Sequence, residues 1–212
     1  QQIDPRDFSK AEQFVYWVNL YNALTVSLIL THYPVTSIRE IGYPALGQLN
    51  TIIGPWDFPL ASIANQSLSL NQIEHGILRA IWRDPNVHYV INCASLGCPD
   101  LLPHAFTRHN IKEKMIFAAK NFINQPKAVK FIGEKVTLSS IYNWFSDDFG
   151  ENQRELLAHL RSYAQPKLRH QLHELLLRDE KTTINYQYDW QLNISKKRPA
   201  EPNNLINNQS KE

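Results

Sequence analysis

Two cysteines in 212 residues are too few for a disulfide framework. Cys93 and Cys98 are joined by no His pair at ligand spacing, so no metal site is expected. Their Cys-x-x-x-x-Cys spacing is not the Cys-x-x-Cys redox motif. No Gly-rich phosphate loop and no Gly-x-Ser-x-Gly elbow occurs, so no nucleotide cofactor or serine nucleophile is signalled, and no cofactor of any kind is expected. Charge of one sign is scarce: the net charge of +2 argues against a nucleic-acid partner. No signal peptide is visible, and the chain opens at Gln1 without Met, which fits a processed or trimmed start.

What is present is an ordinary globular composition, 43% hydrophobic and 20% charged, with five Trp, nine Tyr and nine Phe. That is enough for one sizeable domain with a substantial core. Ser9 and Glu12 form a capping box, and a helix should run from there to about Tyr33, where Pro34 stops it. Phe14 to Leu30 carries no charge and approaches the length of a membrane span. Asn19, Asn22, Thr25 and Ser27 interrupt it and no basic cluster flanks it, so a buried core helix is expected rather than an integral membrane segment. Asn19 and Asn22 share a face, either tying the helix to a loop or lining a polar site.

Further along, residues 34–55 read as a loop. Residues 55–63 read as an edge strand that pairs with Gln66 to Leu70 around Ala64-Asn65. A helix starts at Ser69 or Asn71, both of which satisfy capping spacing, and carries Glu74, His75 and Arg79. Glu74 and His75 point about 100° apart on such a helix and need not bond each other. Asn110 to Phe122 reads as a helix. Residues 129–138 read as a hairpin joined at Gly133-Glu134, Ser140 to Phe145 as a short helix, and Glu151 to Tyr163 and Lys167 to Arg178 as two more. Ile184 to Trp190 is a last strand. Residues 195–212 form a polar tail that should be disordered, leaving 1–194 as one globular α+β domain of helices on a small, mostly antiparallel sheet.

The stretch that holds both cysteines is the focus. Val87 to Ile91 is β-branched and aromatic and reads as a buried strand, ending in a tight loop at Gly97 and Pro99. By alternation His88, Val90 and Asn92 face one way, and Tyr89, Ile91 and Cys93 the other. Cys98 has the better claim to be a thiolate, Cys93 looks like packing, and the spacing also permits a bridge between them. A thiol nucleophile needs a base, and His75 is the candidate, with Glu74 or Asn92 to orient or polarise. His32, His104, His109, His159, His170 and His173 are expected at the surface.

Several segments in order carry a resemblance: Trp17 to Thr25, Ser69 to Arg79 with Ile73-Glu74-His75, His88 to Pro99, Ile141 to Phe145 with Asp148-Phe149-Gly150, and Tyr188 to Asn193. Together, from about Phe14 to Asn193, the chain resembles bacterial members of the uncharacterised family called domain of unknown function 547. The resemblance implies no assigned reaction. It implies export to the periplasm or cell envelope, and a first helix upstream that this chain lacks. Plant relatives keep positions matching Cys93, Glu74 and His75 but not Cys98, which raises Cys93 as the working residue. The layout is also similar to papain-like and transglutaminase-like folds, with asparagine where those enzymes carry cysteine. A disulfide-stapled scaffold with no chemistry in the loop is one expectation, and two functions follow beside it. One is a thiol-dependent hydrolase or acyltransferase of amides or thioesters using Cys93, Cys98, His75 and Glu74. The other is a non-catalytic envelope module whose polar cleft, with Asn19, Asn22, His88 and Asn92, binds a peptide or small ligand.

Overall fold

The capping box at Ser9 is formed in full. The Ser9 amide donates to Glu12 Oε2 at 3.1 Å and the Glu12 amide donates to Ser9 Oγ at 3.4 Å. It starts helix α1, Lys10–His32, and Tyr33 turns extended ahead of Pro34 to end it. The structure is a computed structural model that describes residues 4–44, 52–133, 135–178 and 183–194. The expected tail at 195–212 lies outside those residues, as does Glu134 in the hairpin turn. Helix α1 is long and apolar enough to cross a membrane by length and composition. It buries one face, from Phe14 and Trp17 through Tyr21 to Leu28 and Ile29, in the core of the domain.

Short strands β1, Tyr43–Pro44, and β2, Ile52–Ile53, pair antiparallel. The expected hairpin is present as β3, Ala61–Ile63, and β4, Gln66–Leu68. Ala64 and Asn65 both take positive φ, as a tight right-twisted hairpin turn requires. Residues 55–60 are turn rather than strand. Of the two possible caps for the next helix, Ser69 acts: its Oγ accepts the Gln72 amide at 3.2 Å, and Gln72 Oε1 accepts the Ser69 amide at 2.8 Å. That helix is wound as a π-helix over Gln72–Arg79 before it tightens into α2, Ala80–Trp82. Wide turns of this kind are rare and recur at functional sites. Ile73, Glu74 and Leu78 face inward and His75 outward.

One expectation fails at the next segment. Pro85–Tyr89 is a 3-10 helix, not a strand. Asp84 Oδ1 accepts the Asn86 amide at 2.9 Å, and Pro85 supplies a preset φ at the first helical position, so the turn signal opens a helix instead of preceding a strand. The alternation drawn for His88 and Cys93 therefore does not hold. Helix α3, Ile111–Ile123, follows, with Ile111, Met115, Ala118, Ala119 and Phe122 buried. Strands β5, Val129–Ile132, and β6, Lys135–Ser139, form the second expected hairpin. Helices α4, Ile141–Trp144, α5, Ser146–Phe149, α6, Gln153–Tyr163, and α7, Pro166–Leu177, then lead to β7, Ile184–Gln187. This strand runs parallel to β6, and the four helices supply the long crossover a parallel pair needs. The architecture is one α+β domain whose strand pairs are antiparallel except for β6–β7. Its core runs continuously from α1 through the π-helix and α3 to α6 and α7.

Candidate functional site

A cleft of about 190 Å³ opens where the π-helix, the cysteine loop, α4 and the segment after β7 meet. It is smaller than the ~300–1,000 Å³ pockets that enclose drug-sized ligands. Its walls are aromatic, from Trp56, Trp144, Trp190, Phe145 and Tyr188. Trp144 packs on both Tyr188 and Trp190, with centroids 4.8 and 5.4 Å away.

The polar groups of the cleft form one chain. Glu74, only 6% exposed, accepts the Tyr21 hydroxyl on Oε2 at 3.1 Å. Its Oε1 lies 3.8 Å from His88 Nδ1. His88, 3% exposed, stacks on Phe145 at 4.2 Å and donates from Nε2 to Asp148 Oδ2 at 2.6 Å. Arg79 clamps the same carboxylate with Nε at 2.5 Å and Nη2 at 3.0 Å. Burial pushes the Asp148 carboxyl upward, but the hydrogen bonds from His88 and Arg79 outweigh it and hold it well below the usual carboxylate range. Burial, reinforced by Glu74, pushes the Tyr21 hydroxyl well above its ordinary value, so it remains a donor.

Arg79 also reaches His75: Nη1 lies 2.7 Å from His75 Nδ1. A guanidinium can only donate, so Nδ1 is the acceptor and the neutral ring carries its proton on Nε2. His75 lines the cleft and is exposed. A ring fixed this way offers a donor. Through Nδ1, His75 therefore meets Arg79 rather than either sulfur.

The cysteine loop is held from both sides. The Leu96 and Gly97 amides donate to the Gln191 and Asp189 carbonyls at 2.8 and 2.9 Å, and the Asn193 amide donates to Ala94 O at 2.7 Å. Ala94 has φ 62°, a left-handed conformation unusual for a residue with a Cβ. A Cβ on Gly97 would sit 2.9 Å from both the Asp189 amide and the Tyr188 ring, which explains glycine there. Within this loop the two sulfurs are bonded to each other, with the Cα atoms 6.3 Å apart. The Tyr188 hydroxyl, kept protonated because burial raises it, donates across both, 2.9 Å from Cys93 Sγ and 3.0 Å from Cys98 Sγ. Of the alternatives left open for Cys93 and Cys98, free thiol or bridge, the structure holds the bridge.

The fold brings Glu74, His75, His88, Cys93 and Cys98 to one cleft. It does not bring the three asparagines there. Asn19 pairs both amide ends with the backbone of Phe106, at 2.9 Å each. Asn22 donates to Val90 O at 2.8 Å and accepts the Asn92 amide at 2.9 Å. Asn92 bridges Pro99 O and the Ala94 amide. All three fasten loops to α1 or to each other. His159 is a second departure: its ring packs among Tyr89, Phe149 and Tyr163 rather than at the surface. Helix α6 turns it inward beside Leu156 and Leu160. The sequence reading missed Tyr21, Arg79, Asp148, Tyr188 and the tryptophan wall as site residues. The Asp148-Phe149-Gly150 and Tyr188-Asp189-Trp190 runs, already noted in the family resemblance, held the available signal.

Residues 5–123, more than half of the chain, match the family described as "Protein of unknown function, DUF547". No curated protein and no solved structure matches the chain.

Proposed function

The chain belongs to the DUF547 family, whose description assigns no reaction, and we propose that its cleft is a binding site for an amide-bearing ligand, such as one residue of a peptide. The observation that carries this reading is the pairing of opposite polar groups beneath an aromatic wall. Glu74 is a buried acceptor, and His75, with Nδ1 held by Arg79, is a donor. An amide presents the complement: its N–H donates to Glu74 and its carbonyl accepts from His75 Nε2–H. An attached ring or chain then lies on Trp56, Trp144 and Trp190. The bonded sulfurs leave no thiol to attack the amide, which favours binding over hydrolysis. A formed disulfide also favours an oxidising compartment, in keeping with the periplasm or cell envelope.

The test is calorimetric titration of the native, oxidised protein with benzamide and with benzoate. Benzoate keeps the ring but replaces the N–H donors with a negative charge facing Glu74. Benzamide is expected to bind at least about tenfold more tightly, a difference of about 1.4 kcal/mol. The difference should shrink in Glu74→Gln, whose amide can donate to the anion. Benzoate binding as tightly as benzamide in the native protein would overturn the reading.

A further inference from the structure

The disulfide lines an open cleft instead of being sealed in the core, and its two sulfurs are not equivalent. Cys98 is 2% exposed, whereas Cys93 is half-buried. Cys98 Sγ accepts the Cys93 amide at 3.0 Å and the Tyr188 hydroxyl at 3.0 Å. The Lys127 ammonium sits on the Cys98 carbonyl at 2.6 Å but is paired with Asp100 Oδ1 at 2.8 Å, so the difference between the two sulfurs rests on the Cys93 amide. Cys93 Sγ has the Tyr188 hydroxyl at 2.9 Å. If the bond opens, negative charge is therefore better accommodated on Cys98 than on Cys93. Thiol–disulfide exchange is faster when the departing sulfur is the better stabilised thiolate and the attacked sulfur is the accessible one.

We propose that the Cys93–Cys98 bond is a working disulfide that exchanges with an external dithiol, Cys93 being the sulfur attacked and Cys98 the one that leaves. One thiolate of the dithiol bonds to Cys93 Sγ as the Cys93–Cys98 bond breaks. Cys98 departs as a thiolate, received by the Cys93 N–H and the Tyr188 O–H. The second thiolate of the dithiol then attacks its own first sulfur, closing the oxidised dithiol and releasing Cys93 as a thiolate. Two electrons pass from the dithiol to the protein, and solvent protonates whichever sulfurs remain anionic. This activity needs the cleft to be open but does not need amide recognition, so the two proposals fail separately. Its product is a Cys93 thiolate on the wall of the cleft.

The test uses the full chain in native buffer. Dithiothreitol should reduce the wild-type disulfide without denaturant, read by the mass added on alkylation of a quenched sample. In Cys98→Ser, the remaining Cys93 should form a mixed disulfide with oxidised glutathione at least about tenfold faster than Cys98 does in Cys93→Ser. Tyr188→Phe should slow reduction by dithiothreitol about tenfold, because a donor to the leaving thiolate is lost. A merely covering role for Tyr188 would give the opposite sign, since removing it would expose the sulfurs and speed reduction. Reduction only once the chain is unfolded, equal or inverted glutathione rates, or an unchanged or faster Tyr188→Phe would each overturn the proposal.

Discussion

His159 gives the protein an acid-labile stability whose size can be worked from the structure. Its ring lies among Tyr89, Phe149 and Tyr163, and Nε2 is 2.9 Å from the Tyr89 hydroxyl. Burial, with a smaller contribution from the charge of His88 and against an opposing one from Asp84, lowers its pKa from 6.5 to about 4. Below pH 6.5 the unfolded chain takes up a proton that the folded chain refuses. The contribution is complete above 6.5 and is lost as pH falls towards 4. Stability should fall by up to about 1.4 kcal/mol per pH unit within that window, reaching about 3 kcal/mol at its lower end. Carboxylates whose pKa values are lowered, Glu12 and Glu40 with an ordinary value of 4.5 and Asp148 among them, also lose their contributions as pH falls through the lower end of this window, so the difference between wild type and a His159 variant isolates the histidine. Urea denaturation of wild type and His159→Gln at pH 7.5, 6.5, 5.5 and 4.5 measures it. His159→Gln should be less stable than wild type at pH 7.5 and should lose less stability than wild type as pH falls across the window. Parallel pH curves for the two proteins would refute the assignment.

Gly97→Ala should cost about 1–3 kcal/mol, because its Cβ would press on the Asp189 amide and the Tyr188 ring. Gly54→Ala, which meets nothing within 4 Å, should stay within about 0.5 kcal/mol, and the same urea series checks both. Leu160→Ala empties a fully buried position on α6 and should cost about 2–5 kcal/mol with an unchanged m-value. Tyr21→Phe removes the donor to Glu74 and should cost about 1–3 kcal/mol, checked by the urea midpoint at pH 7.5.

Elements with local signals were legible in the sequence, and contacts between distant residues were not. The Ser9 capping box, the apolar stripe of α3 and the turn residues of both hairpins each specify their element within a few positions, and each formed where expected. Residues 85–89 misled because burial on all sides hides any period. Val87, His88 and Tyr89 are all buried, and such a run looks the same in a strand as in a 3-10 turn. Only the Asp84-Pro85 pair favoured the helix. The π-winding of 72–79 has no sequence signature that could have been used. Within the site, Glu74, His75 and the cysteines were found by residue type and by resemblance. The Asp148 carboxylate that fixes His88 lies sixty positions away, and Tyr188 is farther still from the sulfurs it bridges. Pairings at that separation are made by the fold, and residue type alone does not foretell them. The same limit applies to His159: it sits between Ala158 and Leu160 in sequence, but its contact with Tyr89, seventy positions away, is made by the fold.

The tryptophans allow the most direct test of the cleft. Three of the five, Trp56, Trp144 and Trp190, line it, while Trp17 and Trp82 lie elsewhere, against Tyr16 and Phe14 respectively. Benzamide titrated into the oxidised, isotope-labelled protein should move the indole N–H resonances of the first three with one shared saturation curve and leave the other two in place. Movement of all five alike, or of none at concentrations where calorimetry reports binding, would contradict the placement of the ligand between the tryptophan wall and Glu74.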